Sequence, residues 1–191
     1  DLTLTSRPKD AGGQGIPMCG VPFHAADGYI SRMVKKGFRV AICEQVEDPR
    51  KAKGLVRREV VRVVSPGTLT EPGYLDAREP AFLMAIAPAS DGLVGVALVD
   101  ISTGEFSTTE YRGAEGLQAL TDEISVLRPR EVVVPGDGTV GERFPELARL
   151  QLPVTNAEGW TFDAETARRA LLDQLKTHGL DGFGLEGRIA A

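Results

Sequence analysis

The stretch SPGTLTEPGYLDAREP, residues 65–80, carries three prolines and two glycines and sustains neither helical nor strand periodicity. Proline removes a backbone donor and turns the preceding residue away from helix, so Pro66, Pro72 and Pro80 each interrupt regular structure. A chain interrupted in this way is expected to fold as two modules. The charge changes sign at the same place: residues 1–68 hold 12 Lys and Arg against 7 Asp and Glu, whereas residues 69–191 hold 10 against 20. Balances of +5 and −10 suit modules with different partners. The expected division is a first domain at 1–68, a linker at 69–80 and a second domain at 81–187.

Periodicity fills in both modules. LTLT (2–5), FRVAIC (38–43) and EVVRVVS (59–65) read as strands, the last two rich in β-branched residues. Between them, Ala26, Tyr29, Ile30, Met33 and Val34 form one apolar stripe of a helix over 24–36, with Gly37 placed to stop it. In the second module AFLMAIAP, LVGVALVDI and GEFSTTEY predict an antiparallel meander turned at ASDG and STG. A helix follows with Leu117, Leu120, Ile124 and Leu127 on one face, then the short buried strand REVVVP, then a helix capped by Asp163. The fold class is α/β: a small mixed α/β domain followed by a ribonuclease H-like α/β layout.

Several chemistries lack their residues. No apolar run approaches the roughly 18 residues of a membrane span, and DLTLTSRPKD lacks the basic start and apolar centre of a secretory signal. A cytoplasmic protein with no membrane partner is expected. Cys19 and Cys43 form no C-x-x-C and read as reduced thiols, and a Cys19, Cys43, His24 metal cluster lacks a fourth ligand. There is no Gly-Lys pair, hence no phosphate-cradling loop of that type, and AGGQG (11–15) reads as a flexible loop. Asp100 and Glu105 are the acids placed for a metal-dependent nuclease, although aspartate before STG also suits a turn. His178 is placed to satisfy the carbonyls of the last helix, and Trp160 reads as packed.

The segment GIPMCGVPFHA (15–25) sets Met18 between Pro17 and Pro22, bracketed by glycines, a stiffening that a core methionine does not need. Basic residues gather around it in sequence: Arg7 and Lys9 before the glycine loop, Lys35 and Lys36, and RKAKGLVRR (50–58). Such residues suit phosphate contact or a solvated face, and charge alone does not separate the two.

The motifs LTLTSR, IPMCGVPFHA, YISRMVKKGFRVAICEQVEDP and REVVRVVSPGT, continued by LVDISTGEF and GFGLEG, resemble the bacterial MutS family of DNA mismatch-recognition proteins over essentially the whole chain. The resemblance implies that 1–68 is most of a mismatch-recognition domain, truncated at its N-terminus, and 81–187 a connector domain of ribonuclease H-like fold without nuclease activity. It implies a loop from Pro17 to Pro22, with Met18 at its tip, lying against the minor groove of duplex kinked at a mispair. It assigns phosphate contacts to Arg7 and Arg58, with Lys9 and His24 as further DNA-contacting positions. The family's Phe-x-Glu motif falls upstream, and Phe144-Pro145-Glu146 is a decoy. No cofactor is expected in this chain, ATP and Mg²⁺ belonging to the family's ATPase domain, and the chain is expected not to be an enzyme. Implied partners are DNA with mispairs or small loops, MutL through the connector, and a second copy in the full-length protein. The alternatives are the nuclease and a purely protein-binding adaptor.

Overall fold

Strands β1 (Leu4–Arg7) and β2 (Ile16–Cys19) open the first of two units, residues 1–65 and 66–191, into which the computed structural model divides. Residues 3–7, 16–52, 54–69, 79–136, 144–145, 149–185, 187–188 and 190 are described. β1 and β2 pair antiparallel, with Thr5 opposite Met18 and Arg7 opposite Ile16. The expected Pro17–Pro22 loop is therefore corrected: Met18 lies within a strand and not at a loop tip. A two-stranded ladder leaves each strand an open edge, where the N–H that Pro17 lacks is not required. The Thr5 hydroxyl adds a hydrogen bond to the Met18 carbonyl at 3.0 Å.

A single 3₁₀ turn, Phe23–Ala25, leads into α1 (Ala26–Val34), so the helix begins with the first residue of its apolar stripe and two residues later than the expected span of 24–36. Gly37, at φ +87°, ends it as expected. The Gly37 N–H bonds the Val34 carbonyl and the Phe38 N–H the Met33 carbonyl, the paired pattern of a left-handed helix stop. β3 (Val40–Gln45) then pairs antiparallel with β4 (Arg58–Val64), with a bulge between Ile42 and Cys43. Val34 and Val64, each 1% exposed, are the buried hydrophobic side chains of this unit among its described residues.

The second unit is built on a five-stranded sheet of order β7-β6-β5-β8-β9. β5 (Phe82–Pro88), β6 (Leu93–Asp100) and β7 (Phe106–Arg112) form the expected antiparallel meander. Its first turn places Asp91 and Gly92 at φ 57° and 70°, values that favour the residues found there. β8 (Glu131–Pro135) joins β5 in parallel, and β9 (Val154–Ala157) joins β8 in parallel. Three antiparallel strands extended by parallel ones give the expected ribonuclease H-like order. β9 is an element that periodicity did not reveal, because four residues behind a proline carry no usable pattern.

Helix α2 (Gly113–Leu127) covers one face, and Leu120 and Ile124 enter a core with Met84, Ile86, Val94, Val96, Val132 and Val134. Phe144 is 2% exposed in the same cluster, so its ring is packed and not presented to a base, while Glu146 of the Phe144-Pro145-Glu146 pattern lies outside the described residues. On the other face, helix α3 (Ala164–Leu175) stands over a floor of Ala85, Ala87, Gly95 and Ala97, around a cavity of about 870 Å³. Asp163 caps α3 as expected, accepting the Thr166 N–H at 2.9 Å. At its other end Lys176 turns left-handed and the main chain itself reaches the Leu172 carbonyl, so His178 is not the group that satisfies it. Trp160 is corrected as well: it is 67% exposed, because the 3₁₀ turn Gly159–Phe162 directs Phe162 and not Trp160 toward the cavity. No helix among the described residues is long and apolar enough to cross a membrane.

Leu120 is fully buried at the centre of the α2 contact. Leu120→Ala is expected to destabilise the second unit by about 3 kcal/mol, through lost transfer energy and the cavity left behind, as measured by urea unfolding followed in far-UV circular dichroism.

Candidate nucleic-acid interface

The segment 18–24 presents a run of exposed apolar groups. Met18 is 39% exposed on β2, Val21 38% and Phe23 94% at the start of the 3₁₀ turn, where Pro22 sets the approach and no core position is within reach. A patch of this kind calls for a partner. Gly20 stands in open space, so the backbone there is accessible from outside. His24 is exposed in the middle of the turn and belongs to the same segment. Phe23 is the residue that sequence reasoning passed over. Its place beside a predicted helix start concealed an exposure that only the short 3₁₀ turn produces.

The expected basic positions are distributed over the unit. Arg7 closes β1 opposite Ile16, on the hairpin that carries Met18. Arg58 opens β4 opposite Gln45, on the second hairpin, and is exposed. Its neighbour Arg57 forms an ion pair with Glu59, whereas Arg58 has no carboxylate partner among the described residues. Lys9 lies outside the described residues. Arg32 covers the Tyr29 ring at 4.2 Å and so spends its charge within α1. Met18 and His24 thus share one continuous segment with the end of the first hairpin, while Arg58 is supplied by separate strands.

The acids proposed for metal-dependent cleavage are engaged otherwise. Asp100 is buried, and its Oδ1 accepts the Ser102 hydroxyl at 2.7 Å, the Ser102 N–H at 2.9 Å and the Ala81 N–H at 3.1 Å. It fastens the start of β5 to the β6–β7 turn, the structural role that the STG sequence suggested. No group of three metal-ligating side chains occurs among the described residues, neither with Asp100 and Glu105 nor with Cys19, Cys43 and His24. Both cysteines are free and exposed. The nuclease alternative is therefore without support.

Comparison with known proteins bears on the same question. The family described as MutS domain I matches residues 1–72, and MutS domain II matches residues 81–191. The DNA mismatch repair protein MutS of Symbiobacterium thermophilum is 46% identical over 189 residues, 97% of this chain and 21% of its own length. That of Solibacter usitatus is 48% identical over 193 residues, 100% of this chain and 21% of its own. That of Pelotomaculum thermopropionicum is 51% identical over 135 residues, 71% of this chain and 15% of its own. The chain thus spans about a fifth of the length of the first two relatives.

The Ser102 hydroxyl and then the Ala81 N–H hold the Asp100 carboxyl below its ordinary value of 3.8, against the opposing effect of burial. A carboxyl lowered in the folded state contributes stability that is present above its unfolded value and lost as pH falls through the folded one. Asp100→Asn is accordingly expected to destabilise the second unit at pH 6, with the gap to wild type narrowing below pH 4. Urea midpoints at pH 6 and pH 3 measure it.

Proposed function

The chain belongs to the MutS family of DNA mismatch repair proteins, and from that premise we propose that it is a non-catalytic, DNA-binding part of a mismatch-recognition protein. The observation that carries this reading is the exposed run Met18, Val21 and Phe23 on a proline-braced segment of a basic unit. Apolar side chains pressed into the minor groove partly unstack a base step and kink the duplex. A mispaired step costs less to deform than a paired one, so a wedge of this kind selects mispairs by deformability and without base-edge readout. Prolines at 17 and 22 limit the entropy lost when the segment docks.

In this reading Arg7, Lys9 and Arg58 neutralise phosphates and His24 contacts the backbone beside the wedge. Their contribution is sequence-independent and falls as salt rises, through counterion release. The second unit, with its acidic balance, suits a protein partner better than phosphate, and we assign contact with MutL to it. ATP with Mg²⁺ and pairing of two copies are assigned to portions of the longer relatives that this chain does not span.

Fluorescence anisotropy with matched and mismatched duplexes at two salt concentrations tests these roles. Arg58→Ala is expected to weaken both duplexes alike and to reduce the salt slope by about 1. Met18→Ala with Phe23→Ala is expected to weaken the mismatched duplex more than the matched one, narrowing whatever preference the chain has. Absence of duplex binding even at low salt would leave the protein-binding adaptor as the better description.

A further inference from the structure

One buried acid has no part in the roles above. Glu131, the first residue of β8, is 2% exposed. Its Oε2 accepts the Gly67 N–H at 2.8 Å, and its Oε1 accepts the Thr155 hydroxyl from β9. A buried carboxylate persists only where hydrogen bonds replace its water, and here one of them comes from the segment joining the two units. Pro66 has no N–H, so Gly67 is the first residue past Ser65 able to donate to it. The approach is close: a Cβ on Gly67 would come within 2.6 Å of Leu83 Cδ1 and 2.7 Å of Glu131 Cβ. Leu69, two residues on, is 4% exposed. Gly67, near the end of the expected first domain, and Leu69, the first residue of the expected linker, thus both belong to the second unit, and neither is part of a free tether.

We propose that Glu131 is a positioning residue that shortens the hinge between the two units by clamping Gly67. With Gly67 held, only Ser65 and Pro66 separate the end of β4 from a fixed point on the second unit, and Pro66 is itself restricted in φ. Without the clamp Gly67 joins that stretch, and the accessible arrangements multiply with its length. The carboxylate acts through Gly67, and Thr155 holds it in the orientation that meets the amide. This inference is independent of the DNA-binding proposal, and its test uses no DNA.

The test combines two measurements on the 191-residue chain. Spin labels at Cys43 and at Val126→Cys, in a Cys19→Ser background, report the distribution of distances between the units by pulsed electron resonance. Amide exchange by NMR reports Gly67 directly. Glu131→Ala is expected to broaden the distribution at least twofold and to speed Gly67 exchange at least tenfold. Glu131→Gln is expected to retain both wild-type values, since its carbonyl oxygen accepts the Gly67 N–H while its amide donates to Thr155. A merely structural role would lower the melting temperature in Glu131→Ala and leave the distribution unchanged, an outcome that overturns the proposal. Should Glu131→Ala not fold, Thr155→Val, which removes only the orienting hydroxyl, is read in its place with the same two outcomes. A wild-type Gly67 amide that exchanges as fast as a fully exposed one overturns the proposal without any variant.

Discussion

Strand β5 is the constraint on which the second unit rests. It pairs antiparallel with β6 on one side and parallel with β8 on the other, so both its backbone edges are satisfied inside the sheet. Its side chains divide by the two-residue period: Met84 and Ile86, fully buried, meet α2, while Ala85 and Ala87 form part of the floor beneath α3. Large residues on one face and small ones on the other explain why α2 contributes buried side chains and α3 contributes none. The same strand organises its surroundings. Asp100 holds its entry through Ala81, and Leu83, paired with Glu131, forms part of the wall against which Gly67 is seated.

The first unit has no comparable centre. Its buried hydrophobic side chains among the described residues are Val34 and Val64, and its shape depends on local devices: the Gly37 stop, the Thr5 bond to Met18 and the bulge at Ile42. So little burial leaves the unit with modest stability of its own. It also leaves Val60, Val61 and Val63 on β4 exposed beside Arg58, and Leu4 on β1 exposed on the hairpin that carries Met18. Regions of low local stability and exposed apolar surface are those from which binding segments are drawn. The wedge that we propose for deformed duplex fits such a unit better than it would fit the tightly filled α2 side of the second one.

Within the second unit the acids divide by task. Asp163 and Asp100 are held below the ordinary carboxyl value by hydrogen bonds, chiefly from the Thr166 N–H and the Ser102 hydroxyl respectively. Both serve local structure, one at a helix start and one at a strand turn. Glu131 differs in that one of its donors is 64 residues distant in sequence. Local roles of this kind can be read from spacing, as the Asp163 cap was, whereas a distant partner cannot.

Sequence by itself determined the elements whose signal is local. The meander, the α2 stripe of Leu117, Leu120 and Ile124, the Asp163 cap and the Gly37 stop depend on residues within a few positions of one another, and the family motifs are equally local in kind. Tertiary structure alone decided the rest. Pro17 and Pro22 suggested a loop because proline is a strong local breaker, but pairing with Thr5 and Ser6 drew Met18 into a strand. Phe23 and Trp160 look like core residues in isolation, and both are exposed because the short 3₁₀ turns carrying them offer no interior face. β9 exists because β8 supplies a parallel edge, and the burial of Gly67 is set by Glu131 and Leu83. For Met18, β9 and Gly67 the deciding partner lies at least ten residues away, beyond the reach of any periodicity.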